Sequence, residues 1–245
     1  MASPHRVALV DIARTIALLA MAIFHFTYDL ELFGFAPRGT MASLEWRLFA
    51  QAIAGSFIFL SGVSLVLATK DSPIKPQKYL RRLIMIGLAA IAVSVGTYVA
   101  NGAAFVRFGI LHLMFAASIL GLLTLRSSFW VSGLLGALIV ALPHFTDWPL
   151  LDDVNWLWLG MTKAAMPAMV DYTPLIPWFG VFLLGMALAQ WIAHSGKWSV
   201  IAQLINPNNR RVQIASWPGK HSLAIYLIHQ PVLFGAVYLA RIISG

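Results

Sequence analysis

The sequence predicts an all-α, polytopic membrane bundle of about seven transmembrane helices with a cytoplasmic N-terminus. Of its 245 residues, 60% are hydrophobic and only 11% are charged, whereas a soluble domain has about 25% charged residues. These values exclude a soluble globular enzyme and a disordered chain. The absence of cysteine excludes thiolate catalysis, iron–sulfur clusters and cysteine-based zinc sites. Because apolar runs fill the chain, residues 1–245 are predicted to form a single transmembrane domain.

Seven stretches approach the roughly 20 mostly apolar residues that a membrane helix needs. They are Val7–Leu30, Leu48–Thr69, Leu83–Ala100, Phe108–Leu125, Phe129–Leu142, Leu175–Ala193 and His221–Ile243. The fifth stretch is short and ends at Pro143. The first carries Asp11 and Arg14 and lacks a convincing cleavage site, so we interpret it as a membrane helix and not as a signal peptide.

The basic residues predict the orientation, since cytoplasmic loops of membrane proteins collect Lys and Arg. With the N-terminus inside, eleven basic residues fall on the inner side: Arg6, Lys70, Lys75, Lys78, Arg81, Arg82, Arg126, Lys197, Arg210, Arg211 and Lys220. Five fall on the outer side: Arg38, Arg47, Arg107, Lys163 and Arg241. We therefore attribute the net charge of +8 to topology and not to nucleic-acid binding.

Two connections differ from simple loops. The outer segment Pro143–Pro174 is the longest connection; it contains acidic residues and the tryptophans Trp148, Trp156 and Trp158. We interpret it as an interfacial aromatic belt, or as a lid for a sugar-like acceptor. On the inner side, Trp198–Ile205 and Val212–Trp217 are predicted to lie on the membrane surface.

The first helix has the most ionisable residues, which are expensive in a bilayer and therefore candidates for function. At 100° per residue, Arg14 and His25 are only about 20° apart around the axis and about 16 Å apart along it. Asp29 lies one turn beyond His25, so one polar stripe must face protein or water. Asp11 and Arg14 are spaced for a structural i,i+3 ion pair. His25 and Asp29 form either a helix-packing pair or a base with an orienting carboxylate.

The other helices carry fewer polar groups. In the second, the small residues around Ser61 and Gly62 favour close helix packing. The fourth begins near Arg107 and places His112 at a depth close to that of His25. Asp171 and Trp178 lie around the proline-rich start of the sixth helix.

The last helix begins with Lys220, His221 and Ser222, a pattern typical of a phosphate-binding helix start or of a basic membrane flank. His229 lies about 12 Å deeper, near the membrane midplane. Pro231 interrupts the backbone hydrogen bonds just after it, which membrane helices tolerate where the backbone lines a cavity or is buried in protein.

Five motifs follow one another in the chain. They are R-x10-H at Arg14 and His25, FxFLSGxSL in the second helix, FGILH at the fourth, PLxPWFGxFLLG at the sixth and GKxSLxIYLxHQP in the last. Together they resemble the bacterial branch of the heparan-alpha-glucosaminide N-acetyltransferase catalytic-domain family. That family is related to the acyltransferase-3 membrane proteins of the transmembrane acyltransferase superfamily. The resemblance extends from Arg6 to His229.

The resemblance implies transfer of an acyl group, expected to be acetyl, from cytoplasmic acyl-CoA to an extracytoplasmic sugar hydroxyl or amine. Arg14 and His25 match the functional arginine and histidine of the family. The lysosomal enzymes use a histidine in the luminal loop after the first helix, but this chain has none between His25 and His112. The catalytic role therefore falls to His25, as in acyltransferase-3 proteins.

The expected site follows from the resemblance and from the polar residues above. The catalytic residues are expected to be His25, Asp29 and Arg14. Contacts to acyl-CoA, whose phosphates favour basic side chains, are expected from Arg14, Ser61, Arg81, Arg82, Arg210, Arg211, Lys220, His221 and Ser222. Contacts to the acceptor are expected from Arg107, His112, Asp171, Trp178 and His229. No metal is expected.

The expected partners are membrane lipid, acyl-CoA and a glycan or other envelope acceptor, in a bacterial cytoplasmic membrane, with no nucleic acid; a homodimer is left open. Two other functions remain as alternatives. His25 and His112 at similar depth would suit a haem held by two imidazoles. The polar stripe would also suit a transporter or flippase, although the inverted repeats common in transporters are not evident.

Overall fold

The computed structural model describes residues 7–69, 74–145, 151, 153–161 and 167–244, and within these ranges every regular element is a helix. The α-helices are α1 Ala8–Leu32, α2 Leu44–Leu67, α3 Pro76–Asn101, α4 Ile110–Thr124, α5 Phe129–Ala141, α6 Leu175–His194, α7 Trp198–Gln203, α8 Arg210–Lys220 and α9 Ser222–Ser244. Short 3-10 helices cover Gly102–Ala104, Leu142–His144 and Val154–Leu159. The predicted all-α membrane bundle is confirmed.

All seven predicted apolar stretches are helical, but they differ in length. Among the described residues, five helices are long and apolar enough to cross a membrane: α1, α2, α3, α6 and α9. The other two, α4 and α5, have 15 and 13 residues, which is shorter than the roughly 20 that a full crossing needs. Pro143 ends regular α-helix after α5, as predicted, and a 3-10 turn follows.

Helix α3 begins seven residues earlier than predicted, so Lys78, Arg81 and Arg82 lie in its first turns and not in a loop. Pro76 at the first helical turn supplies the fixed φ that a helix start favours. Lys and Arg are good helix formers, and their long side chains keep the charge at the surface while the backbone continues as helix. The predicted start of this helix at Leu83, set by the last charged residue before the apolar run, is therefore later than the observed start at Pro76.

Four residues named in the sequence predictions lie outside the described ranges: Arg6, Lys70, Trp148 and Lys163. So do Asp147 and Asp152, two of the acidic residues of the connection Pro143–Pro174. In the described part of the connection Pro143–Pro174, the centres of the Trp156 and Trp158 rings are 6.2 Å apart. Asp153 accepts a hydrogen bond from the Asn155 backbone N–H at 2.8 Å and so caps the 3-10 helix that carries both tryptophans.

The chain divides into two compact units. The first contains residues 58–198, where small residues bring helix backbones together, as predicted for α2. A side chain at Gly62 would overlap the backbone carbonyl of Phe182, and one at Gly185 would overlap that of Phe59. Without a hydrophobic force between helices in lipid, such close backbone packing is a main source of their association.

Gln190 of α6 closes the end of α4 within the same unit. Its side-chain Nε2 donates toward the backbone carbonyls of Thr124, Leu125 and Ser127, at 3.1, 3.4 and 3.3 Å. The last carbonyls of a helix have no donor within that helix. The two hydrogens of this one amide are therefore shared among carbonyls at the end of α4 and the start of the next connection.

Trp198, the first residue of α7, also belongs to this unit. Its side chain is 4% exposed, and its indole N–H donates to the Ala189 carbonyl at 3.3 Å. Trp198 therefore anchors the start of α7 to α6, and the predicted position of this segment at the membrane surface stays a prediction.

The second unit contains residues 7–57 and 199–244, and in it α1 packs against α8 and α9. The backbone N–H of Gly219 in α8 donates to Thr15 Oγ1 at 2.9 Å. A side chain at Gly219 would overlap the Asp11 backbone carbonyl. On the other side of α1, Ile16 and Leu19 are 62% and 61% exposed, as expected of a face that meets lipid.

Candidate functional site

The polar residues of α1 lie on its buried side. Asp11 is 2% exposed, Thr15 is 8% exposed and Asp29 is fully buried. Of the three residues of the predicted polar stripe, Asp29 is buried in protein, whereas Arg14 and His25 are half-buried. Burial of Asp29 against protein keeps its carboxyl out of hydrocarbon, where a charge is costly.

Arg14 and Asp11 form the i,i+3 ion pair that the sequence left open. The Arg14 guanidinium nitrogen Nη1 is 3.5 Å from Asp11 Oδ1, and the Arg14 side chain is 21% exposed. Arg14 is thus a charge held at one end of the stripe, 11 residues before His25.

His25 of α1 lies beside His229 of α9. Their ring centroids are 5.0 Å apart, with the ring planes at 61°. The structure thus brings together two of the residues that the sequence singled out. The predicted depth of His112, close to that of His25, stays a prediction.

The hydrogen bonding of His229 defines its tautomer. Its Nδ1 lies 2.7 Å from the backbone carbonyl of Tyr226. A carbonyl only accepts, so Nδ1 must carry the hydrogen, and in the neutral ring Nε2 must then carry the lone pair. That Nε2 is buried and has no hydrogen-bond partner among the described residues. His229 therefore presents a free basic nitrogen inside the helix pair.

Asp29 does not pair with His25, which corrects the prediction of a base with an orienting carboxylate. Asp29 Oδ1 instead accepts a hydrogen bond from Gln230 Nε2 at 3.0 Å. The reason is tertiary: α9 packs on the α1 face that contains Asp29 and offers an amide there. A spacing of i,i+4 brings two side chains to one face of a helix. It does not decide whether they bond to each other or to a residue of another helix.

His112, in the first unit, has both ring nitrogens engaged. Its Nδ1 accepts from the Gly109 backbone N–H at 3.3 Å. The hydrogen is then on Nε2, which lies 3.2 Å from Ser94 Oγ. Ser94 donates onward to the Val106 carbonyl at 2.7 Å. This closed chain ties α3 to the start of α4 and leaves His112 no free nitrogen for a ligand.

Asp171 joins the segment before α6 to the start of α4. Its Oδ2 accepts from the Ile110 backbone N–H, and its Oδ1 from the Thr173 hydroxyl, both at 2.9 Å. The first N–H groups of a helix need such an acceptor. Desolvation by the surrounding protein nevertheless raises the pKa of Asp171 above its ordinary value, while the two hydrogen bonds and nearby His112 act in the opposite direction.

This shift predicts a pH-dependent stability. The folded-state pKa lies above the unfolded value of about 3.9, so the folded protein holds this proton more tightly. The contribution of this proton to the free energy of unfolding is complete below the pKa of Asp171 in the unfolded chain. It is lost as the pH rises through the pKa of Asp171 in the folded protein. We expect the free energy of unfolding of the wild type, relative to Asp171→Asn, to fall across that window. Thermal unfolding at a series of pH values measures it, and parallel curves for the two proteins would contradict it.

The remaining predicted acceptor contacts are also in the first unit. The Arg107 guanidinium carbon lies 4.5 Å from the centre of the Phe105 ring. Its Nη1 is buried and has no hydrogen-bond partner in the described part of the chain. Trp178 is half-buried on α6.

The predicted acyl-CoA contacts fall in both units. In the first, Ser61 is 3% exposed, Arg81 is exposed and Arg82 is half-buried. In the second, Arg210 and Arg211 are exposed at the start of α8.

The end of α8 and the start of α9 hold the other three predicted acyl-CoA contacts. Lys220 ends α8 and Ser222 begins α9. Between them, His221 Nδ1 donates to the Trp217 carbonyl at 2.9 Å, with the two rings 4.6 Å apart.

The family model for the heparan-alpha-glucosaminide N-acetyltransferase catalytic domain matches residues 6–231. The chain belongs to this family. The matched region includes the whole of α1 and the part of α9 that holds His229 and Gln230. Family membership therefore covers the histidine pair and its surroundings. No curated protein and no solved structure gave a significant match.

Two residues of the family's matched region that the sequence analysis did not single out contact α1: Gln230 at Asp29 and Gly219 at Asp11 and Thr15. Gln230 stands between His229 and Pro231 in an apolar run, where an amide is itself a signal, since a polar group there needs a partner. Gly219 precedes a membrane helix, where a glycine can mark a close helix contact.

Proposed function

We propose that the protein is a membrane acetyltransferase that takes its acetyl group from acetyl-CoA at the cytoplasmic face. The acceptor is a hydroxyl or amine, expected on a sugar, that enters from the opposite side. Family membership supports the reaction class. The observation that carries the assignment to residues is the His25–His229 pair, with its free basic nitrogen on His229.

In this proposal the histidine pair removes the proton of the acceptor. His229 Nε2 has the lone pair for that step, while the Nδ1–H bond to the Tyr226 carbonyl keeps the ring in the reactive tautomer. His25, 5.0 Å away, is the second imidazole able to take the proton. When bound, acetyl-CoA supplies the thioester carbonyl that the acceptor oxygen or nitrogen attacks; the C–S bond breaks, and CoA leaves as a thiol with the proton that the imidazole took from the acceptor. Arg14 stays protonated and contributes positive charge, not base catalysis.

Exposed basic residues of the second unit fit the phosphates of acetyl-CoA. Arg210 and Arg211 lie in the first turn of α8, and Lys220 ends the same helix. Arginine binds phosphate oxygens in a bidentate manner. The double variant Arg210→Glu/Arg211→Glu is expected to raise KM for acetyl-CoA and to reduce its dependence on salt. Arg38→Glu reverses one exposed charge on the predicted outer side and serves as the control.

The experiment that tests the function uses purified full-length protein in lipid nanodiscs with labelled acetyl-CoA. We expect hydrolysis of the thioester without acceptor, and transfer of label to an amino sugar or a sugar hydroxyl when one is supplied. Absence of both reactions, with no acetyl-CoA binding, would overturn the proposal. A haem Soret band in the same preparation would instead favour the haem alternative, and substrate movement across sealed vesicles would favour a transporter.

A further inference from the structure

We propose that Asp29 is an uncharged carboxylic acid in the folded protein and forms a two-bond ring with the Gln230 amide. This acid–amide pair, Asp29 and Gln230, joins α1 to α9 beside the two histidines. Its role in positioning the histidines rests on the proposed function, whereas the pair itself does not.

Three buried oxygens and one nitrogen define the arrangement. Gln230 Nε2 donates to Asp29 Oδ1 at 3.0 Å. The other oxygen of each group, Asp29 Oδ2 and Gln230 Oε1, is buried and lacks a hydrogen-bond partner among the residues described. Asp29 Oδ2 shares its carboxyl carbon with Oδ1, and Gln230 Oε1 shares its amide carbon with Nε2. Each unsatisfied oxygen thus lies next to an atom of the existing hydrogen bond.

The chemistry of the two groups decides which protonation state fits. An ionised carboxylate only accepts, and so does the amide oxygen, so neither of these two oxygens could satisfy the other. A protonated carboxylic acid has one O–H donor beside its carbonyl. Its Oδ2–H then donates to Gln230 Oε1, while Oδ1 keeps the bond from Nε2. Protonation thus satisfies both orphaned atoms, each of which would otherwise cost about 1–3 kcal/mol.

The surroundings also disfavour a charge on Asp29. The residue is fully buried, and within the described ranges no cation lies at ion-pair distance from it. The charged groups of α1 are Asp11 and Arg14 at its other end and Glu31 beyond Asp29; α9 contributes Arg241. Helix α8 packs near the Asp11 end of α1. An isolated carboxylate without a partner is among the most costly groups to bury.

The nearest titratable residues are the two histidines themselves. His25 precedes Asp29 by one helical turn, and His229 immediately precedes Gln230. The acid–amide pair therefore connects α1 and α9 at the level where the two imidazoles meet. Its members are positioning residues, since they set the separation of the helices without contacting the reacting atoms.

Conservative and apolar variants distinguish a neutral Asp29 that positions the helices from a charged Asp29 that orients a histidine. Asn in place of Asp29 preserves a neutral ring, now between two amides, so Asp29→Asn is expected to keep turnover within about threefold of the wild type. Gln230→Glu preserves a ring between two carboxylic acids and is expected to behave alike. Asp29→Leu and Gln230→Leu break the ring and are expected to lower turnover at least tenfold, as misplaced reacting groups do. If Asp29 were instead a charged orienting carboxylate, Asp29→Asn would lose about 10⁴-fold.

Two readouts do not depend on acetyl transfer. Infrared spectroscopy of the wild type at neutral pH is expected to show the C=O stretch of a protonated carboxylic acid that Asp29→Asn lacks. Thermal unfolding is expected to be unchanged in Asp29→Asn and lowered in Gln230→Leu. Absence of that infrared difference, or an inactive but normally stable Asp29→Asn protein, would overturn the inference. If the wild type transfers no acetyl group, the proposed function fails, while the infrared and unfolding results still decide the acid–amide pair.

Discussion

Replacement of His229 by alanine is expected to lower turnover at least about 10²-fold, the usual contribution of a general base. Its Nε2 is the buried lone pair that the tautomer leaves free. His25→Ala is expected to cause a loss of the same scale, because its ring packs on that of His229. Acetyl-CoA binding and thermal stability should largely survive in both variants, since neither ring lies among the basic residues proposed to hold the phosphates. Steady-state kinetics with labelled acetyl-CoA and a saturating acceptor measures the effect.

The pH profile distinguishes the two histidines. If His229 is the base, kcat/KM of the wild type rises with pH as the imidazole loses its proton, and His229→Ala loses that limb. In His25→Ala, kcat/KM should still rise with pH, but to a lower maximum. His194→Ala removes an exposed histidine at the end of α6 and is the matched control. Near-wild-type turnover in either pair variant would exclude that residue from the catalytic step.

Replacement of Gly219 by alanine is expected to destabilise the contact between α8 and α1. A Cβ there would overlap the backbone carbonyl of Asp11, and backbone cannot rotate away as a side chain can. The helices would have to separate, which also stretches the 2.9 Å bond from the Gly219 N–H to Thr15. Overpacking of this kind costs about 1–3 kcal/mol, and we expect the upper end.

Gly235→Ala in α9 is the matched control, because a Cβ at Gly235 meets nothing within 4 Å. There the change is expected to be neutral or stabilising by up to about 1 kcal/mol, since alanine favours the helix. Thermal unfolding in the same detergent or nanodisc measures both variants. Equal unfolding temperatures for Gly219→Ala and the wild type would show that α8 does not depend on this close approach.

Much of the fold follows from composition and period. Apolar runs near the length of a bilayer predicted all seven apolar helices, because a backbone in lipid must satisfy its hydrogen bonds internally. The boundaries were less certain where charge and helix propensity act against each other. Helix α3 includes Lys78 and Arg81 because a membrane helix can extend beyond the hydrocarbon. Both ends of α4 are bonded by side chains distant in sequence, Asp171 at its start and Gln190 at its end.

The candidate site was predicted in part. The spacing of Asp11 and Arg14 suffices for their ion pair, because both lie on one helix. The 3.6-residue period also predicted that Asp29 would lie on the buried stripe. It did not predict Gln230 as the partner of Asp29, because that contact joins residues 201 positions apart in sequence.

The sequence by itself determined the membrane class, the helical segments, the family and the polar face of α1. These are local properties, set by hydrophobicity, by helical period and by motifs read in order along the chain. Only the tertiary structure decided which polar groups meet. It placed His229 against His25, gave Asp29 an amide partner, and engaged both nitrogens of His112. A buried polar group takes its partner from whichever helix packs against it, and helix packing depends on shape across the whole unit.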